Sequence, residues 1–171
     1  MEEIKYIDRL DEICKFLNKY EITCNNFNNA PYNKETDEEA RIVVLNPYNG
    51  ENLIVDVDWY ELTVFFDYYH EHYFSWDGEY ERFIHFIIDF FANRICTVSL
   101  FYNNGEKLMS TAILTKSEVN DFNLELTFEH IMKIPEFCHK INATGATVKC
   151  SFWNPIDNTT FQYSKNQFQH Q

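Results

Sequence analysis

Glycine and proline are scarce in this chain, four of each among 171 residues. So little glycine leaves little material for a phosphate-cradling loop. A Walker loop, a dinucleotide fingerprint and a Gly-x-Ser-x-Gly elbow are all absent from the sequence. Bases are scarce too, with 14 Lys and Arg against 27 Asp and Glu and a formal net charge of −13. That balance disfavours nucleic acid and anionic membrane surfaces as partners, because their phosphates would be repelled. No run approaches the roughly 18 apolar residues that a membrane span needs. The first residues carry no basic stretch followed by an apolar one, so no signal peptide is expected. The five cysteines (Cys14, Cys24, Cys96, Cys138, Cys150) are odd in number, scattered and free of any C-x-x-C pair. They read as reduced, mostly buried thiols of a cytoplasmic protein.

What remains is rich in core material. Apolar residues make up 45% of the chain and aromatics 18%, enough for a packed interior and too much for a disordered tail. The length suits a single globular domain spanning 1–171. An amphipathic stripe through Ile4, Ile7, Leu10, Cys14 and Leu17 predicts a helix over 3–20. The Asn-rich segment 25–39, with Pro31, predicts a surface loop. Segments 40–46 and 52–59 predict a hairpin about the turn Pro47-Tyr-Asn-Gly50. Segment 61–74 predicts one long or bent strand. Asp77 is the expected N-cap of a helix over 78–92, with Tyr80, Phe83, Ile84, Ile87, Ile88 and Phe91 on one stripe. A second hairpin is expected over 95–102 and 107–115, around Asn103-Asn-Gly105. The character of 117–126 is ambiguous. A helix broken near Pro135 is expected over 127–142, with Gly145 as terminator. A last hairpin over 146–153 and 159–164 completes the order α-β-β-β-α-β-β-α-β-β. That pattern predicts an α+β fold, a largely antiparallel sheet with packed helices.

The charge is not evenly spread. Between Glu51 and Phe91 there are ten acids (Glu51, Asp56, Asp58, Glu61, Asp67, Glu71, Asp77, Glu79, Glu81, Asp89) and one base, Arg82. The same stretch holds Tyr60, Tyr68, Tyr69, Tyr73 and Trp76. Acids mixed with large aromatics suit a surface that grips a basic protein. Alternation along a single strand places Phe65, Asp67, Tyr69, Glu71 and Tyr73 on an exposed face. It places Phe66, Tyr68, His70, His72 and Phe74 nearer the core. The candidate partner-binding residues are therefore the carboxylates Asp56, Asp58, Glu61, Asp67 and Glu71, with Asp77, Glu79 and Glu81 at the helix start. Tyr69, Tyr73 and Trp76 are the expected desolvated anchors, and His70 and His72 the interface histidines.

Two other chemistries are open to these residues. His70 and His72 lie two apart on a strand, so both imidazoles can reach one metal ion, but no third ligand stands at a recognisable spacing. Asp56 and Asp58 likewise share a face and can hold a cation or divide acid and base roles. A nuclease built on them would want a nearby lysine, and none occurs between Arg41 and Lys107. A metal-dependent hydrolase and a small-molecule-binding module are thus the alternatives. No cofactor, metal site or catalytic residue is expected.

Ile54-Val-Asp56-Val-Asp58-Trp59-Tyr60-Glu61-Leu62-Thr63-Val64-Phe65-Phe66, then Tyr69-His70-Glu71-His72-Tyr73-Phe74, a helix, and Cys96-Thr-Val-Ser-Leu-Phe-Tyr102 form a pattern. It resembles small bacterial immunity proteins of polymorphic and contact-dependent toxin systems, over roughly residues 42–115. The resemblance implies a cytoplasmic, non-catalytic inhibitor that binds one cognate toxin domain, often a basic nuclease. It carries no active-site residues, because such proteins act by binding.

Overall fold

The computed structural model describes residues 5–19, 32–34, 39–48, 50–76, 78–102 and 105–165. Cys24, Asp77 and the Asn103-Asn104 tip of the second hairpin lie outside them, as does most of the loop expected over 25–39. The protein is α+β, with helices and two antiparallel sheets, and its contacts divide it into two compact units, Met1–Ala92 and Asn93–Gln171.

The first unit opens with a 3₁₀ turn, Tyr6–Arg9, that runs into helix α1, Leu10–Lys19. The tighter turn changes which residue points inward: Tyr6, not Ile7, is buried there. Its hydroxyl donates to the Phe74 carbonyl at 2.7 Å and its N–H to the Trp59 carbonyl at 3.1 Å, which ties the helix entrance to two strand ends. Leu10, Ile13, Cys14 and Leu17 carry the apolar stripe inward from there. Burial raises the Cys14 thiol to about 11, so it stays an inert core thiol.

Five strands follow as an antiparallel meander, ordered β1-β2-β3-β4-β5. They are β1 (Tyr32–Lys34), β2 (Ala40–Val44), β3 (Leu53–Val57), β4 (Glu61–Phe66) and β5 (Tyr69–Phe74). β1 is a correction, since its segment reads as loop in the sequence; three residues are too few to set a periodicity. The stretch 61–74 is also corrected, from one strand to a tight hairpin. Asp67 and Tyr68 form its turn, with Asp67 at φ 54° and Phe66 paired to Tyr69. Aspartate tolerates this left-handed conformation better than most residues, so the turn needs no glycine.

Helix α2, Glu79–Phe91, packs its buried Phe83, Ile87 and Phe90 against the inner face of this sheet. Phe90 meets Phe66 edge-on at 4.6 Å, and Phe83 meets Tyr73 edge-on at 5.6 Å. Its N-cap is Gly78, at φ 86° and with no side-chain capping bond, which replaces the expected Asp77 cap.

The second unit has the sheet order β7-β6-β8-β9. Its strands are β6 (Ile95–Tyr102), β7 (Lys107–Thr115), β8 (Ala146–Ser151) and β9 (Thr159–Tyr163). Four short helices lie between β7 and β8, resolving the ambiguous 117–126 and the broken 127–142. They are α3 (Lys116–Asn120), α4 (Leu124–Thr127), α5 (Glu129–Met132) and α6 (Pro135–Thr144). Thr115 and Glu118 form a reciprocal capping box at the start of α3. Pro135 opens α6, where its missing N–H costs nothing. Cys96, Val98, Leu100, Val148 and Cys150 from the sheet join Val119, Leu124, Phe128, Ile131 and Ile141 in one apolar cluster. A hydrogen bond with Cys150, then burial, holds the Cys96 thiol well above its ordinary range and keeps it protonated. The four described cysteines are all free and buried, as their scatter in the sequence led us to expect.

Candidate functional site

The two faces of the first sheet differ sharply. Facing α2 are Ile42, Val44, Leu53, Val55, Leu62, Val64, Phe66, Tyr69 and Tyr73, all buried. The register fixes what points the other way. Arg41 pairs with Asp56, Asp56 with Thr63, and Thr63 with His72. Val43 pairs with Ile54, Ile54 with Phe65, and Phe65 with His70. Glu61 stands opposite Phe74. Directly opposed residues share a face, so these rows lie side by side on the outward surface.

The face assignment along β5 is therefore inverted relative to the expectation. A two-residue turn between β4 and β5 shifts the parity by one, and every side chain after it changes sides. Tyr69 and Tyr73 are 7% and 1% exposed, and so are corrected from partner anchors to core. Each is held by α2: Tyr69 stacks at 6.2 Å on Phe86, and Tyr73 packs on Phe83. Burial comes first among the causes that raise both phenols far above their ordinary value. His70 and His72, expected to be semi-buried, are exposed.

The outward face carries a continuous row of rings. Phe65 stacks on His70 at 6.0 Å, and His70 meets His72 edge-on at 5.2 Å. His72 stacks on Phe74 at 6.3 Å, and Phe74 on Trp76 at 4.6 Å. The row ends at Trp76, which is 63% exposed. Phe65 and Phe74 are members of it that the sequence reading did not single out. Their signal was the alternation itself, restarted after Asp67-Tyr68.

Beside the row lies a cavity of about 210 Å³ lined by Glu39, Ala40, Arg41, Asp56, Val57, Asp58, Glu61 and Thr63. Four carboxylates thus face one guanidinium. Arg41 donates to both oxygens of Asp56, at 2.6 and 2.7 Å, so that carboxylate is matched within the protein. Asp58 accepts from the Tyr60 and Glu61 N–H groups, both at 2.7 Å, and closes the turn between β3 and β4. Glu61 accepts from the Thr63 hydroxyl at 2.5 Å and contacts Nδ1 of His72. Burial pushes the Glu61 carboxyl up, but the Thr63 and His72 contacts outweigh it and hold the group below its ordinary value of 4.5. Glu39 and Arg41, which complete the cavity, were not among the expected site residues. Arg41 stands across β3 from Thr63, a neighbourhood that only the strand register reveals.

The lowered Glu61 has a consequence for stability. Its folded value lies below its unfolded one, so the stabilisation is present above the unfolded value and is lost as pH falls through the folded one. Glu61→Gln should therefore destabilise the protein at neutral pH, and the gap from the parent should close down the acid limb of urea-melting curves. A gap that persists unchanged through that limb contradicts the assignment.

The remaining candidate acids lie elsewhere. Glu71 and Glu79 are bound by Arg82, with contacts of 2.6 Å and 2.8 Å. Arg82 also donates to the His72 carbonyl at 2.8 Å and lies 4.5 Å over the Tyr73 ring. These groups form a clamp between α2 and the edge strand β5. Glu81 is exposed at the start of α2 and lines a small cavity with Trp76, the last ring of the row, and Asp67 is exposed at the hairpin tip. The acids are therefore scattered around the sheet. Asp56, Asp58 and Glu61 come together; Asp67, Glu71, Glu79 and Glu81 do not join them.

Among the described residues no group of three or more His, Cys, Asp or Glu side chains is placed to hold a metal ion. Also among them, no helix is long and apolar enough to cross a membrane. No protein-family model, curated protein or solved structure matches the chain.

Proposed function

We propose that this chain is a non-catalytic immunity protein that binds and neutralises a cognate, basic protein toxin, docking through the outward face of its first sheet. One observation carries the reading. A row of five rings in mutual contact, four of them following β5 and one coming from β4, ends at an exposed tryptophan, next to a cavity lined by four carboxylates. Aromatic rings on a stiff element supply desolvated contact area at low entropic cost. Carboxylates beside them supply acceptors for Lys and Arg and steer a cationic partner towards the face. The net charge of −13 acts in the same sense at long range. The contact set on this reading is Phe65, His70, His72, Phe74 and Trp76 with Glu39, Asp58 and Glu61. At this face the cavity, about 210 Å³, is smaller than the roughly 300–1,000 Å³ of sites that enclose a drug-sized ligand, so the outward face suits a protein contact better than an enclosed small molecule.

Co-expression tests the reading. The product of the gene immediately upstream should arrest growth alone, and this chain should restore growth and co-purify with it. A neighbour without toxicity, or purified proteins that do not bind, overturns it.

A further inference from the structure

His70 and His72 are arranged for more than a docking contact requires. Residues two apart on a strand point the same way, and both imidazoles are exposed on the outward face. Their ring centroids stand 5.2 Å apart, with the ring planes at 86°. Two imidazoles bound to one tetrahedral ion, at about 2.0–2.1 Å per nitrogen, have centroids roughly 5 Å apart. The two rings thus have the spacing of a bis-histidine chelate.

A second observation concerns which ring nitrogen of His72 is left over. Its Nδ1 contacts the Glu61 carboxylate and lies 3.2 Å from the Thr63 hydroxyl. That hydroxyl donates to the same carboxylate at 2.5 Å, so the Nδ1–H is directed to Glu61. A carboxylate acceptor at Nδ1 sets the tautomer and leaves the lone pair on Nε2. Histidines that ligate metals are commonly backed in this way, and the carboxylate raises the basicity of the ligating nitrogen. His70 takes no hydrogen bond among the described residues, so neither of its nitrogens is committed elsewhere. Phe65 and Phe74 flank the two rings at 6.0 and 6.3 Å and limit their rotation.

We propose that His70 and His72 chelate a divalent transition-metal ion of the zinc class, with Glu61 as the positioning residue behind His72. Imidazole ligands suit such ions, whereas Mg²⁺ and Ca²⁺ take oxygen ligands. This chain supplies two ligands, in keeping with the lack of any group of three among the described residues. Water or a side chain of a bound partner fills the other positions. The inference goes beyond the toxin reading, since docking through the rings needs no metal.

Titration of the untagged, chelator-treated chain with zinc chloride, without any partner protein, tests the inference apart from that reading. The parent should take up one zinc ion per chain, and excess Mg²⁺ should not displace it. His70→Ala and His72→Ala should each abolish uptake, and His85→Ala, at an exposed position of α2, should leave it unchanged. Glu61→Gln should weaken it by about 10–100-fold. Imidazole ¹⁵N spectra in mildly alkaline buffer separate positioning from a merely structural effect of Glu61. They should show the metal-free parent with its His72 proton on Nδ1, a shift of Nε2 on adding zinc, and loss of that tautomer preference in Glu61→Gln. A parent that takes up no zinc, uptake that survives either His70→Ala or His72→Ala, or a His72 protonated at Nε2 alone overturns the inference. Displacement by Mg²⁺ also overturns it, because the ion would then sit among the carboxylates of the cavity.

Discussion

Tyr73→Ala loses about 3–5 kcal/mol of folding stability, the cost of emptying a large aromatic site in a packed interior. Trp76→Ala, three residues away, changes stability by less than about 0.5 kcal/mol, as expected of an exposed surface substitution. The contrast follows from position, not from residue class. Tyr73 is 1% exposed and packed against Phe83, while Trp76 is 63% exposed at the end of the ring row. Truncating Tyr73 also removes the ring beneath the Arg82 guanidinium, and so loosens the clamp on Glu71 and Glu79. Urea denaturation of the two variants checks this. Equal losses, or a larger loss at Trp76, would restore Tyr73 to the surface and undo the parity of β5.

Gly145→Ala is the second large effect, a loss of at least about 3 kcal/mol. Gly145 ends α6 at φ 77° and ψ 174°, a region that is essentially closed to residues with a Cβ. A methyl group there would stand 2.6 Å from the Tyr163 carbonyl oxygen, which is strand backbone and cannot swing aside. Two penalties therefore act together, backbone strain and displacement of β9 from β8. Gly78→Ala is the useful comparison, since its φ is 86° but nothing lies within 4 Å of the added carbon. Gly78→Ala should cost only the strain, about 1–2 kcal/mol. Thermal melts that rank the two the other way would contradict the close approach at Gly145.

The parts of the fold that were legible in the sequence are those with a strong local signal. The stripe of α2 with Phe83 and Ile87, the Pro47 turn between β2 and β3, Pro135 at the start of α6 and Gly145 at its end each carry their own chemistry. The hairpin at Asp67-Tyr68 was not legible, because neither residue is glycine and both flanking strands are aromatic. A one-residue shift of parity then exchanged the exposed and buried sides of β5. That exchange moved Tyr69 and Tyr73 inward and brought His70 and His72 out. The cavity was half legible: Asp56, Asp58 and Glu61 lie close in sequence, but Glu39 and Arg41 reach them only through strand pairing. The clamp on Arg82 was hidden for the same reason, since Glu71 lies eleven positions before it.

Titration calorimetry of the upstream toxin against the parent chain, Trp76→Ala and Asp11→Asn measures where the partner docks. Trp76→Ala should weaken binding by at least about tenfold, as expected for loss of an exposed aromatic contact. Asp11→Asn, exposed on α1 beside Ile84 of α2, should leave affinity within about twofold. Undiminished affinity for Trp76→Ala, combined with a marked loss for Asp11→Asn, would place the partner on the helix side and contradict docking at the outward rings.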